Sequence, residues 1–403
     1  MEIIAPAGNL EKLKFAVKYG ADAVYLGGST LNLRTKSKNF SLPEIKEGID
    51  FCHQHKVKVI FLLNSFLHED NIPSAEEYLT QLKELPLEAI MISDPGMIPL
   101  IKKSGLQADL HLSTQMNTLN HLSLNFWQEQ GLKRVVLGRE VTLSEIKKIS
   151  TQTKIELEVF CHGALCIAYS GRCLLSRYLT GRNANEGDCS QPCRWNYSLI
   201  ETKRPGHYLD IIEHGPSTEI ISSKDLCLIE KLDEYKKAGV QAFKIEGRMK
   251  SLYYTANTTR IYKHALTTTD SKARENFLPF WIKELDLVSH RPYTTNLFKE
   301  FDNLKFENIP YIKKVLFMGY KYSSGLKKNE AYLKTFNPLY PGEELEAIFP
   351  IKNDNLKDKN IKVETVYDEA GYLIPFAQPG KKCLVKFSSS LDDEAILRKR
   401  LKD

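Results

Sequence analysis

The chain has 403 residues, 42% hydrophobic and 26% charged, which excludes a disordered or low-complexity polymer and leaves room for a large domain plus a smaller one. Lys and Arg number 56 against 50 Asp and Glu, an excess mild enough to permit an anionic partner such as RNA without demanding one. The opening MEIIAPAG has no charged n-region and no sustained apolar stretch, and no apolar run approaches the roughly 20 residues of a membrane span, so a cytoplasmic chain with no membrane partner is expected.

Short apolar or β-branched runs predict strands at Ile3–Ala5, Ala23–Gly27, Val57–Leu63, Ala89–Ile92, Leu110–Ser113, Arg134–Leu137, Ile155–Phe160 and Ala242–Glu246. Helical patterns such as NLEKLKFAVKYG, AEEYLTQLKE and LSEIKKIS lie between most of them, with Asn9 as N-cap and Gly20 as stop of the first helix. Strand and helix alternating in this way predict an α/β chain, a (β/α)8 TIM-like barrel. An open doubly wound sheet is the alternative, but no G-x-G-x-x-G follows the first strand.

Chemistry in such a barrel sits at the carboxyl ends of the strands. The residues expected there are strongly polar: Asn64, Ser93, Asp94, Ser113, Thr114, Gln115, Asn117, Arg139, Glu140, His162, Glu246, Arg248 and Lys250, with His111 able to point inward from within its strand. Several would serve as loop caps or surface ion pairs. Together they predict a polar mouth for an anionic small molecule, with Arg139 and Arg248 as forks for a carboxylate. Glu158, His162 and Glu246 are candidate proton carriers; Glu246 equally suits a structural pairing with Lys244 or Arg248.

The connection from Cys161 to Gln241 is far longer than a barrel needs, and residues 161–241 therefore read as an insertion. It holds Cys161, Cys166, Cys173, Cys189, Cys193 and Cys227, and extra strands are expected at Asn196–Ile200, Tyr208–Ile212 and Glu219–Ser222. In a reducing compartment clustered thiols bind metal or act in catalysis more often than they form disulfides. Only Cys189 and Cys193 resemble a zinc knuckle, and four thiolates on irregular loops suit a 4Fe-4S cluster at least as well. Arg172, Arg177, Arg182 and Arg194, interleaved with the cysteines, would offset a cluster's negative charge, face an anionic substrate or simply be solvated. Cys52 and Cys383 read as buried thiols, and His53 and His55 as helix-surface residues rather than ligands.

Beyond about residue 305 the runs Lys313–Tyr322, Glu330–Phe336, Glu344–Pro350, Ile361–Tyr367 and Cys383–Phe387 predict a small β-barrel. The expected division is a barrel over 1–300 and this domain over 301–403. The basic tail LRKRLKD reads as a phosphate-facing stretch or a frayed helix end.

The stretch from Glu158 to Trp195, with EVFCHGALC, SGRCLLS and CSQPCRW, resembles the signature of the U32 peptidase-like proteins. APAGNLEKLKFAVKYGADAVYLGG, HLSTQMNTLN, VVLGRE, SSKDLC, FKIEGRMKS and SHRPYTTN are similar to further family landmarks in the expected order, densely over residues 1 to about 300. Asn296 stands where relatives usually carry Gly. The resemblance implies an oxygen-independent hydroxylase with a 4Fe-4S cluster. Its branches act on the wobble uridine of tRNA with prephenate as hydroxyl donor, on a cytidine of ribosomal RNA, or on quinone precursors; DCSQPCRW and KIEGRMKS look most like the tRNA branch. The family label also implies, as an alternative, a collagenase-like peptidase.

By the same resemblance Cys166, Cys173, Cys189 and Cys193 would hold the cluster, with Cys227 as alternative fourth ligand. Prephenate, a small dicarboxylate, would sit on Arg139 and Arg248 with Arg34 as third contact. Relatives' C-terminal domains resemble the β-barrels of translation factors, which fits tRNA docking; packing or dimerisation is the other reading. Some relatives work as pairs, so a homologous subunit is a candidate partner. A peptidase would need an activated nucleophile or a metal-bound water; H-E-x-x-H is absent, and His162 and Cys166 lie too close in sequence for a convincing dyad. A non-catalytic RNA-binding protein would require purely structural cysteines.

Overall fold

Each of the eight runs expected as a barrel strand is one. The computed structural model describes residues 1–32, 39–165, 174–182, 184, 188–190, 192, 199–200, 208–209, 212–214, 217–219, 224–295, 311–351, 356 and 358–401. In chain order come β1 (Glu2–Pro6), α1 (Leu10–Lys18), β2 (Ala23–Leu26), α2 (Leu42–Gln54), β3 (Lys58–Leu63), α3 (Ile72–Leu82), β4 (Ala89–Ile92), α4 (Met97–Ser104), β5 (Asp109–Leu112), α5 (His121–Glu129), β6 (Leu132–Val136), α6 (Leu143–Ser150) and β7 (Glu156–Ala164). The insertion follows, with α7 (Leu175–Thr180) and two short hairpins, β8 (Leu199–Ile200) with β9 (Tyr208–Leu209), and β10 (Ile212–His214) with β11 (Ser217–Glu219). After it come β12 (Asp225–Cys227), α8 (Leu232–Lys237) and β13 (Ala242–Ile245). Strands β1 to β7 run parallel in order, and β13 pairs in parallel with both β1 and β7, closing the barrel.

Helix boundaries follow local chemistry. The Lys12 N–H donates to Asn9 Oδ1 at 2.8 Å, so Asn9 caps α1, and Gly20 takes φ +102° beyond its end. Thr142 and Glu145 form a reciprocal capping box on α6, and the Thr142 hydrogen bonds hold the Glu145 carboxyl below its usual range.

Alternation along the strands sends Ile4, Ala23, Tyr25, Ile60, Leu62, Ala89, Met91, Val136 and Ala242 into one apolar cluster, the barrel interior. One charge, Arg134, is buried at the edge of this interior and is paired with carboxylates nearer solvent. Glu2 takes Lys58 at 2.5 Å and Arg134 at 2.8 Å, and Arg134 also takes Glu156 at 2.5 Å. An unpaired buried guanidinium would cost several kcal/mol, so the pairing is what permits Arg134 its buried place.

The chain packs as two units, one of Met1–Val17, Ala21–Lys250 and His290–Tyr311, the other of Lys18–Gly20, Ser251–Ser289 and Ile312–Asp403. The first also includes β14 (Tyr293–Thr294), which lies parallel to β12. The second contains α9 (Leu252–Thr267), α10 (Ser271–Asp286), β15 (Val315–Ser324), β16 (Glu330–Thr335), β17 (Glu344–Ile348), β18 (Asp358–Tyr367), β19 (Leu373–Ile374), β20 (Lys382–Phe387) and β21 (Ile396–Arg400). Here β17, β21, β15, β16, β20 and β18 form an antiparallel barrel closed by β17–β18, with β19 added to β18. Its core gathers Leu333, Leu345, Val363, Val385, Phe387 and Leu397 among others.

The tail corrects the sequence reading. Its described part is no frayed helix: β21 fills the gap between β15 and β17, while Lys402 and Asp403 lie outside the described residues. Arg398 is 1% exposed and holds Glu284 through two nitrogens at 2.7 Å, Glu346 at 2.8 Å and the Tyr253 hydroxyl at 2.9 Å. Lys399 and Arg400 pair with Glu343 and Glu346. Arg398 is an internal counter-ion of this unit, and Lys399 and Arg400 are paired at its surface.

Candidate functional site at the barrel mouth

Where the strands end, a cavity of about 90 Å³ is lined by Tyr25, Leu62, Asn64, Met91, Ser113, Thr114, Gln115, Val136, Arg139, Phe160, Lys244, Glu246 and Arg248. Seven of the residues expected at the mouth, Asn64, Ser113, Thr114, Gln115, Arg139, Glu246 and Arg248, therefore meet in one place. Arg248 follows the β13 turn and is 5% exposed; both its terminal nitrogens donate to Asn32 Oδ1 at 3.2 Å, and one also donates to Asn39 Oδ1 at 2.5 Å. Arg139 lies over the Phe160 ring, 4.2 Å from its centroid. Gln115 sits in a 3-10 turn after β5. Its Oε1 accepts from Asn64 Nδ2 at 2.8 Å, Ser93 Oγ at 2.8 Å and Ser113 Oγ at 3.1 Å, which fixes the amide.

Glu158, expected as a proton carrier, lies beneath the cavity rather than in its wall. It is fully buried, accepts from Lys244 Nζ at 3.0 Å and stands 3.8 Å from Arg134. Lys244 was missed by the sequence as a site residue, although its parity on β13 matches that of Glu246 at the mouth. His111 is buried as well, and burial, with Arg134 and Lys244 nearby, holds its imidazole well below the usual range.

His162 stands on the extension of β7 and does not line the cavity. Its Nε2 is 3.4 Å from the Tyr293 hydroxyl, and Tyr293 stacks on His290 at 4.0 Å. Burial, with the charges of His290 and Lys250, pushes its pKa down to about 3, so it is neutral at physiological pH. SSKDLC and SHRPYTTN explain each other: Asp225 takes the Arg291 side chain through Nε at 3.1 Å and a terminal nitrogen at 3.1 Å, tying β12 to the segment that leads into β14.

Of the cysteines proposed as ligands, Cys166, Cys173 and Cys193 lie outside the described residues, as does Arg34. Cys189 is half-buried beside Asp188, which pairs with Arg182 at 2.8 Å. Cys227 is half-buried on β12, in register with His162 on the antiparallel β7. Cys161 is a buried thiol within β7; burial first, then the neighbouring Cys227, pushes its pKa far up. Cys52 and Cys383 are buried thiols pushed up to about 12 by burial, and His53 and His55 are exposed. Among the described residues no group of three His, Cys, Asp or Glu could hold a metal, and no helix is long and apolar enough to cross a membrane.

Comparison with known proteins places this architecture. The model of peptidase family U32 matches residues 8–305. The chain belongs to peptidase family U32. Similar members include "tRNA hydroxylation protein P1" of Bacillus subtilis (strain 168), 36% identical over 375 residues, 92% of this chain and 87% of that protein. "tRNA hydroxylation protein P" of Escherichia coli (strain K12) is 32% identical over 423 aligned positions, 94% of this chain and 91% of that protein. "23S rRNA 5-hydroxycytidine C2501 synthase" of the same organism is 36% identical over 266 residues, 66% of this chain but 39% of that protein.

In this U32 chain the mouth depends on a close backbone approach. A Cβ on Gly8 would lie 2.1 Å from the Arg248 carbonyl oxygen, a contact only glycine avoids. Gly8→Ala is expected to displace the Arg248 turn and weaken anion binding at the mouth by at least about tenfold, measured by calorimetry. Unchanged affinity would show that the turn yields freely.

Proposed function

We propose that the chain hydroxylates the wobble uridine of tRNA in the cytoplasm, taking the hydroxyl group from a small dicarboxylate, with prephenate as the candidate donor. The observation that carries this reading is likeness over nearly the whole chain to a protein named for tRNA hydroxylation. The mouth supports it chemically. Two guanidiniums, Arg139 and Arg248, share a cavity with one carboxylate, Glu246, so the wall suits an anion. A base taken out of its stack could enter from the open side.

The thiolates Cys166, Cys173, Cys189 and Cys193, with Cys227 as alternative fourth, are the donor set proposed to hold a 4Fe-4S cluster. Their chemistry fits soft thiolate ligation, and Cys227 lies at the strand end opposite His162. Such a cluster would polarise the donor hydroxyl or carry an electron. The chain's own residues bind and orient: Arg248 is pre-set by Asn32 and Asn39, and Arg139 by the Phe160 face.

The second unit is proposed to grip the tRNA. Its register places Tyr320 opposite Lys334 and Lys334 opposite Lys382 on one face. Lys334 lies 5.6 Å from the Phe336 ring and Lys382 lies 5.0 Å from the Tyr322 ring. Aromatic faces interleaved with ammonium groups suit stacked bases and phosphates. Lys334→Glu/Lys382→Glu should weaken tRNA retention in filter binding by about tenfold while leaving donor binding intact; retention equal to wild type would exclude this face.

Nucleoside mass spectrometry of tRNA from a strain lacking the protein tests the activity. Loss of the hydroxylated wobble uridine, restored by the wild-type copy, is the expected result. An unchanged wobble nucleoside in every tRNA, with no paralogue present, would overturn the reading, and hydrolysis of gelatin by the purified chain would favour the peptidase alternative.

A further inference from the structure

A charged group buried in the wall of the mouth is the Lys244 ammonium. Register with Ile4 on β1 and Phe160 on β7 turns the side chain inward, where it is 3% exposed and lines the cavity. An ammonium has three N–H donors. Among the described residues its acceptors are Glu158 Oε1 at 3.0 Å and the Met91 thioether at 3.2 Å, a weak acceptor; the Tyr25 ring lies 4.6 Å away. One charged acceptor leaves donor capacity at the base of the cavity. Gln115 adds to it: Oε1 is taken by three donors, whereas the buried Nε2 meets no acceptor among the described residues.

The charge balance sets the polarity of this base. Beneath it the buried Arg134 and Lys244 face the fully buried Glu158, and Arg134 reaches outward to Glu2 and Glu156 nearer solvent, in contacts of 2.5 to 3.8 Å. Glu158 is thereby a positioning residue. It holds Lys244 in place and favours its charged form, against burial, which lowers the lysine's pKa.

We infer that the cavity is a two-ended clamp for a dicarboxylate: Lys244 Nζ and Gln115 Nε2 take one carboxylate at the base, and Arg139 and Arg248 take the other at the rim. This rests on the proposed use of a dicarboxylate donor, and it gives that donor an orientation. Its two carboxylates span base and rim, and a monocarboxylate can satisfy one end only.

Isothermal titration calorimetry on the purified full chain tests the clamp with prephenate, which has two carboxylates, and phenylpyruvate, which has one. Lys244→Met/Glu158→Gln removes the base ammonium together with its counter-charge, so no buried charge is stranded. Arg248→Ala removes the rim fork. For prephenate each variant should cost at least about tenfold, the scale of one charged hydrogen bond. Phenylpyruvate should lose affinity in one of the two variants and keep it in the other.

Should the double variant fail to fold, as judged by circular dichroism, Gln115→Leu reads the same end and should also cost prephenate about tenfold. Base variants that hold prephenate as tightly as wild type overturn the inference. A wild type that binds neither acid overturns it too, as do equal losses of both acids in both variants, which would report general damage to the mouth. The functional reading is judged separately. Intact tRNA hydroxylation in the base variants removes the clamp and leaves that reading standing; a clamp with unaltered nucleosides in the deletion strain does the reverse.

Discussion

Replacing Glu284 by alanine is expected to destabilise the second unit by about 3–5 kcal/mol, the cost of breaking a buried ion pair from one side. Glu284 is 2% exposed on α10 and is shared by two fully buried guanidiniums, Arg398 at 2.7 Å and Arg260 at 3.1 Å. Arg260 would retain Asp358 at 2.7 Å, and Arg398 would retain Glu346 at 2.8 Å, but both would lose their common central anion. Urea denaturation followed by circular dichroism gives the number; a loss under about 1 kcal/mol would mean that the remaining carboxylates suffice.

The same carboxylate makes the unit acid-sensitive with a definite sign. Burial alone would raise the Glu284 pKa, but the Arg398 hydrogen bonds and the charges of Arg398 and Arg260 outweigh it and hold it below the ordinary carboxylate value of 4.5. A depressed folded-state pKa adds stability that is present above the unfolded value and is lost as pH falls through the folded one. The stability of wild type should therefore drop below about pH 4.5, and Glu284→Gln should be less stable at neutral pH with a shallower acid limb.

Arg248→Ala is expected to lower kcat/KM for tRNA hydroxylation by about 10²–10³-fold, the usual cost of removing one pre-set donor to a charged group. The change deletes a fork already oriented by Asn32 and Asn39, leaving the fully buried Asn32 without its ionic partner. Arg248→Lys keeps the charge but not the planar fork, and should fall between alanine and wild type. Retention of more than half the wild-type activity in the alanine variant would remove Arg248 from the substrate site.

Much of this was legible in the sequence because barrel strands are short apolar runs punctuated by helix caps, as with Ala89–Ile92 or Asn9 before α1. Gln115, Arg139, Glu246 and Arg248 could be placed at one mouth for the same reason: a strand end is a position, whatever the side chain. The inward charges were harder. Glu158 reads in sequence as a proton carrier and Lys244 as a partner for Glu246, and only closing the barrel through β7 and β13 shows the two paired with each other at 3.0 Å. Strand β21 was misread because Arg398, Lys399 and Arg400 resemble a basic tail until Glu284, Glu343 and Glu346, remote in the chain, are brought beside them. Asp225 and Arg291 belong to motifs whose partnership no local pattern announces.

The roots of the insertion have a consequence of their own. Ala164 and Asp225 face each other across the antiparallel pairing of β7 and β12, so the long excursion leaves and re-enters the barrel at a single rung. Its closure entropy is spent at that rung, independently of whatever the excursion carries. Closure of the barrel through β7 and β13 is thereby uncoupled from the length of the excursion, which a deletion or lengthening beyond that rung would leave intact.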